Sequence, residues 1–183
     1  SIASAPTDLP KLELVVKEAG DFTSRLDRLR VGGRAHLDGP HGNFTLEGRT
    51  GDGLVLIAGG VGIAPMLSLL RQAAAERDPR PWLLLYGNRH PGQMVHGPEL
   101  ESLRGRLDLE IVHVVSELPP GWAGEVGRFD RALLARHLPS QMKGRLFFVC
   151  GPPAMIDTVE RALVELGVPL GRIVVERFRY DRA

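Results

Sequence analysis

The chain has a single cysteine, so no disulfide can form within it, a usage that suits a reducing compartment. It has no apolar stretch approaching the ~18–20 residues needed to span a bilayer and no recognisable signal peptide. A cytoplasmic location is therefore expected, with any membrane attachment arising through a segment missing from this chain. It has almost no charge imbalance: 23 Lys and Arg stand against 22 Asp and Glu, a formal net charge of +1. That balance gives no bulk attraction to nucleic acid or to anionic lipid. Its histidines lack metal-ligand spacing, since His90, His96 and His113 fall on different segments, so no metal site is expected. No nucleophile elbow and no close carboxylate pair points to hydrolysis. There are no repeats and no low-complexity tract. An initiator methionine is also missing, and Ser1-Ile2-Ala3-Ser4-Ala5-Pro6 reads as the interior of a longer polypeptide.

What the chain does have is punctuation, with 22 glycines and 14 prolines in 183 residues that are otherwise 43% hydrophobic and 25% charged. The apolar run 54–58 ends in Gly59-Gly60-Val61-Gly62, and a long apolar-periodic segment follows from Pro65. This predicts a strand, a glycine turn and a helix, the arrangement that seats a nucleotide pyrophosphate on a helix N-terminus. Pro65 stands where the dinucleotide fingerprint has its third glycine. Proline fits there because the N–H it lacks would have no partner in the first turn of a helix. The same kind of turn also serves close packing in α/β folds that bind no ligand, so both readings stand. A second apolar run, 146–150, ends in Cys150-Gly151-Pro152 and leads into a helix over 154–166 that Gly167 terminates. Ligands of open α/β sheets bind beyond the carboxyl ends of the strands, which places Cys150 where chemistry would be. The alternative is a small buried apolar residue.

Strands are expected at 54–58, 82–86, 109–115, 146–150 and 173–176, with helices at 65–76, 98–104, 130–138 and 154–166. That alternation predicts an α/β fold, a five-stranded parallel Rossmann-like sheet covered on both faces. Upstream, 12–17 and 31–38 read as strands and 22–29 has helical spacing. The polar, glycine-containing stretch 47–52 marks a boundary between residues 1–52 and 53–183. Residues 119–122 are expected as a surface flap, and 99–106 as a solvated helix face.

Together, in this order, these pieces resemble the ferredoxin–NADP reductase superfamily, and within it the bacterial ferric-reductase-like and NADPH-oxidase-like flavoproteins. Ser1-Ile2-Ala3-Ser4-Ala5-Pro6 resembles the end of the flavin motif, Gly20-Asp21-Phe22-Thr23 the loop on the FAD pyrophosphate, and Gly39-Pro40-His41-Gly42 the turn closing the flavin barrel. Gly59 to Pro65 resembles the pyridine-nucleotide loop, Cys150-Gly151-Pro152 the nicotinamide-side motif, and Glu176-Arg177-Phe178 the C-terminal acid-x-aromatic. The resemblance implies a partial antiparallel barrel over 1–52, a remnant of an FAD domain, and an NAD(P)-binding domain over 53–183. The first half of the barrel precedes Ser1, so the FAD site is incomplete in this chain.

The implied reaction is hydride transfer from NADPH to FAD, then single-electron delivery to heme, ferric iron or a redox protein. Gly59, Gly60, Val61, Gly62 and Pro65 would hold the pyrophosphate, and Gly151 and Pro152 would flank the nicotinamide. Cys150, Glu176 and Ser1 would form the catalytic end: a polarizable edge, a polar or proton-handling acid, and a hydroxyl near the flavin. Gly20 and Thr23 would bind the FAD phosphate and Phe178 would cover the flavin ring. The plainer alternatives are a helix cap for Thr23, core packing for Phe178 and a solvated acid for Glu176. Asn88 and Arg89 follow the second strand of the sheet, where the adenosine ribose lies in such folds. NAD sites place an acid there, and here no acid follows until Glu99. A guanidinium suits a 2′-phosphate, so NADPH is expected, with NADH possible and a solvated loop arginine as the alternative for Arg89. Against the enzyme stand two other readings, a nucleotide-binding regulatory or subunit domain without turnover and an interaction domain.

Overall fold

A computed structural model describes residues 1–177. Its regular elements are β1 (Leu54–Gly59), α1 (Ile63–Glu76), β2 (Trp82–Asn88), α2 (Gly97–Arg104), β3 (Leu109–Val115), β4 (Glu125–Val126), α3 (Arg131–His137), β5 (Leu146–Gly151), α4 (Pro153–Glu165) and β6 (Ile173–Arg177). The strands form one sheet in the order β4-β3-β2-β1-β5-β6, with every neighbouring pair parallel. Every expected strand and helix of this part is present, with ends within two residues of those read from the sequence.

The alternation of side chains along each strand splits the core into two layers. Leu54, Leu56 and Ala58 of β1 pack with Leu67 and Leu70 of α1 and with Leu100 and Leu103 of α2. Val55 and Ile57 face the opposite way and pack with Leu133 and Leu134 of α3 and with Ile156, Val159 and Leu163 of α4. All six residues of β1 and of β5 are buried, as expected of central parallel strands covered on both sides. Each fully buried Leu, Ile, Val or Phe side chain contributes about 1.5–3 kcal/mol.

The sheet has six strands rather than the expected five. β4 is two residues long and pairs Glu125 with Val114 and Val126 with Val115. It lies just after the flap and is too short to show a two-residue period. Contacts hold it instead: Trp122 Nε1 donates to the Glu125 carbonyl at 3.0 Å, and the Glu125 carboxylate meets Arg136 at 2.7 Å and His137 at 2.8 Å.

The partial barrel expected over residues 1–52 is not shown. Among the described residues this stretch has one antiparallel bridge, Ile2 to Leu14, and a short 3-10 helix, Thr23–Arg28, in place of the expected helical segment. The expected strand over 31–38 finds no ladder partner, and Val31 and Leu37 are exposed. Apolar contacts help tie the stretch to the sheet domain. Ala3 is buried in the β1–α1 layer, and Phe44 sets its ring edge-on against Phe148 of β5, with centroids 5.0 Å apart. No described helix is long and apolar enough to cross a membrane.

Candidate functional site

The sheet order changes direction at β1, which has β2 on one side and β5 on the other. In such sheets the connecting helices leave to opposite faces there, and a crevice opens beyond the carboxyl ends. The residues at those ends are Gly59 and Cys150-Gly151. The turn that follows β1 needs two of its glycines for different reasons. Gly60 has φ +55, in the left-handed region, where a side chain is strained. Gly62 has an ordinary φ of −61, but a Cβ there would overlap the Cys150 carbonyl oxygen and lie 2.6 Å from its carbon. Gly62 therefore lets the start of α1 rest directly on the end of β5. Pro65 lies in the first turn of α1, buried.

A cleft of about 1030 Å³ opens over these ends. Gly59, Gly60 and Val61 line it from the turn, Asn88 and Arg89 from the end of β2, and Pro152 from the start of α4. Asn88 Nδ2 is buried there without a hydrogen-bond partner among the described residues, and an added Cβ at Gly60 would sit 4.0 Å from Asn88 Oδ1. A buried amide N–H left unpaired is costly, about 1–3 kcal/mol, and a rotation of the side chain toward the cleft would let a ligand oxygen satisfy it. The unpaired donor, the open helix N-terminus and the space at Gly60 fit a nucleotide with a pyrophosphate.

Arg89 is paired. Its Nε meets the Glu117 carboxylate, which also lies 3.3 Å from His90 Nε2. Hydrogen bonding from Arg89 holds the Glu117 carboxyl below its ordinary range. The loop after β2 itself holds no acid before Glu99. Glu117 follows β3, and the parallel pairing of β2 with β3 brings the two strand ends side by side.

The three residues expected at the catalytic end stand together. Ser1 Oγ donates to Glu176 Oε1 at 2.8 Å, and Glu176 of β6 is the register partner of Cys150 in β5. Cys150 is fully buried. Burial, and next the Glu176 charge, push its thiol from 9.0 up to about 12. It stays a neutral thiol at physiological pH and is not a thiolate nucleophile. Gly151 is closed against Gly59 and Met155, where a Cβ would lie 2.8 Å from Met155 Cε and 3.1 Å from Gly59 Cα.

Gly20 and Thr23 are not brought to this crevice. Thr23 Oγ1 donates to the Gly20 carbonyl at 3.2 Å and accepts from Ala19 N at 2.8 Å, so its hydroxyl is spent within its own turn. Phe178 lies outside the described residues. Glu99, expected on a solvated face, is instead bound bidentately by Arg71 at 2.6 and 2.8 Å.

The parallel order and the glycine turn define a doubly wound nucleotide-binding sheet. Residues 56–161 match the family described as the oxidoreductase NAD-binding domain, and the chain belongs to that family, in the ferredoxin reductase-like superfamily. It is 31% identical over 162 residues to NADH-cytochrome b5 reductase 1 of Eremothecium gossypii, a match covering 85% of this chain and 56% of that protein. Among solved structures it is similar to the cytochrome b5 reductase domain of Ulva prolifera nitrate reductase, with TM-score 0.76 and 27% identity over 86% of this chain and 66% of that one. It shares its fold with a ferredoxin NADP+ reductase from Neisseria gonorrhoeae with bound FAD and NADP, with TM-score 0.76 and 20% identity over 97% of this chain and 78% of that one. The chain spans a little over half the length of the curated relatives it matches.

Proposed function

We propose that this chain is the dinucleotide-binding part of a flavin-dependent NAD(P)H reductase of the cytochrome b5 reductase kind, delivering electrons to a heme or another redox partner. One observation carries the reading. The glycine turn and the unpaired Asn88 amide meet at one crevice at the switch in strand order, and the Ser1–Cys150–Glu176 group stands at the carboxyl ends of the neighbouring β5 and β6. Gly60 and the N–H groups opening α1 would receive the pyrophosphate, and Asn88 Nδ2 would donate to the ligand. Cys150 and Gly151 would support the nicotinamide at its edge. Glu176 and Ser1 Oγ, already hydrogen-bonded, would orient groups beside it. A bound flavin would supply the acceptor for the hydride and the step from two-electron to one-electron chemistry. A second reading is a domain that binds nucleotide without turnover of its own. Ferric iron as acceptor rests on the sequence resemblance alone.

The two cofactor expectations divide at Arg89. A free guanidinium would favour a 2′-phosphate, but this one is already paired to Glu117. A carboxylate at that lip accepts from a ribose 2′-hydroxyl and repels a phosphate. We therefore propose NADH over NADPH, in keeping with the names of the relatives. Calorimetry on the chain with each nucleotide tests this. NADH is expected to bind at least about tenfold tighter, equivalent to about 1.4 kcal/mol, and Glu117→Gln to narrow the gap. Tighter binding of NADPH would overturn the preference. Failure to bind either at millimolar concentration would overturn the dinucleotide reading.

A further inference from the structure

Helix α1 carries an arginine whose side chain is only 15% exposed. Arg71 lies three residues after Ser68, so the two side chains share one face of the helix. Both reach the same strand-like segment. Ser68 Oγ donates to the Ser4 carbonyl at 2.9 Å. Arg71 Nη1 donates to the Ala3 carbonyl at 2.9 Å and to Glu13 Oε2 at 3.0 Å. The rest of the guanidinium fork is locked on Glu99 of α2, and Glu99 is braced by His96 Nδ1 at 3.0 Å. Glu13 closes the loop through its backbone: Ala3 N donates to its carbonyl at 2.8 Å, and its own N–H donates to Ser4 Oγ at 3.1 Å. The segment so gripped is buried, with Ala3, Ser4 and Ala5 each exposed by 5% or less. Ala3 belongs to the same packed layer as Cys150. Two residues before Ala3 stands Ser1, on Glu176.

We propose that Arg71 is a positioning residue for the hydride-transfer end of the site, acting through the carbonyl of Ala3. The proposal rests on the dinucleotide reading above and adds the device that registers the two halves of the crevice. One helix does both tasks. Its first turn bears the pyrophosphate loop, and its third, about 12 Å along at 1.5 Å per residue, bears the clamp on the Ser1 segment. The distance from the phosphate seat to Ser1 and Glu176 is thereby fixed by a rigid element rather than by a loop. Removing the guanidinium leaves the Ala3 carbonyl buried without its side-chain donor. It also leaves Glu13 and Glu99 with only His96 between them, 3.5 Å from one and 3.0 Å from the other. The Ser1–Ala5 segment then lifts, while the sheet and the glycine turn stay in place.

The lone thiol reports this directly. In Arg71→Met, alkylation of Cys150 and exchange of the Ala3 amide are each expected to accelerate at least about tenfold. Exchange across β1 should stay within about twofold of the parent chain, and the NADH dissociation constant within about threefold. Arg71→Lys, which keeps the charge and one contact, should recover most of the protection. Cys150 and Ala3 rates within twofold of the parent in a folded Arg71→Met chain would overturn the proposal. Equal loosening of β1 would overturn it too, by showing a merely structural residue. If Arg71→Met does not fold, Ser68→Ala and Arg71→Gln decide by the same two rates: a selective rise supports the clamp, and parental rates refute it. A parent chain that binds no NADH refutes the dinucleotide reading, while the thiol and exchange rates still judge the clamp.

Discussion

One added methyl group should have very different consequences at the two glycines of the β1–α1 turn. At Gly60 the backbone has φ +55 and the nearest atom to a new Cβ is Asn88 Oδ1 at 4.0 Å. The penalty for Gly60→Ala is then the left-handed conformation alone, about 1–2 kcal/mol. Part of that is offset because alanine also restricts the unfolded chain, by about 0.4–1 kcal/mol. At Gly62 the backbone is relaxed, but the Cβ of Gly62→Ala would stand 2.6 Å from the Cys150 carbonyl carbon and 3.0 Å from Gly151 N. Carbon atoms in contact rest about 3.5–4.0 Å apart. The obstructing atoms are backbone in a central strand and cannot rotate away, so α1 and β5 must separate by about 1 Å. Overpacking usually costs about 1–3 kcal/mol, and a forced shift at the sheet centre belongs at the top of that range. Against a total stability of about 5–15 kcal/mol, Gly62→Ala is a severe lesion and Gly60→Ala a mild one. The order reverses for ligand affinity per folded molecule, because the Gly60 methyl points into the cleft. Urea unfolding followed by circular dichroism gives the stabilities, and calorimetry with NADH gives the affinities. A Gly62→Ala chain at least as stable as Gly60→Ala would refute the packing argument.

The remaining predictions concern protons and a helix end. Because the folded Cys150 thiol titrates at about 12 rather than 9.0, the unfolded chain loses this proton first as pH rises. The stability it confers is whole below pH 9 and declines between there and about 12, by at most about 1.4 kcal/mol per unit. The decline should be absent from the stability curve of Cys150→Ala, and parallel curves for the two chains above pH 9 would contradict the burial of the thiol. Asp130 caps α3 by accepting from Leu133 N at 2.7 Å, so Asp130→Ala should lower stability by about 1 kcal/mol, measured by urea unfolding. An unchanged midpoint would show the cap to be idle.

The elements best read from the sequence are those whose signal is local. The strands ending at Gly59 and Gly151 announce themselves because a buried parallel strand is an unbroken apolar run and its exit is marked by glycine and proline. β4 escaped because two residues have no period, and what holds it is a tryptophan indole and an ion pair with α3. The strand reading of 31–38 failed for the opposite reason: alternation was present, but a strand exists only with a ladder beside it. Within the candidate site, Cys150 could be named from its place near a strand end, while Ser1 and Glu176 came from the resemblance alone. Glu117 and Arg71 could not be named, because their partners lie 28 residues away in sequence. One signal for Arg71 was there to be used: a charge set within the apolar face of a helix has to meet an opposite charge or a carbonyl once that face is buried.

The floor beneath Arg89 is shaped by the absence of an atom. Gly87 has no side chain, and the ring of Phe129 occupies that space; a Cβ on Gly87 would lie 2.5 Å from its Cε2. Phe129 is 5% exposed and sits between Arg128, on the cleft wall, and Asp130, the cap of α3. The ring is thus a wedge seated from below, and its depth sets how far the wall stands from the end of β2. Replacing Gly87 with alanine would raise the wedge and carry Arg128 and the first turn of α3 with it. The width of the nucleotide groove at that end can therefore be adjusted through a buried contact, without altering any charge or hydrogen-bonding group that faces the ligand.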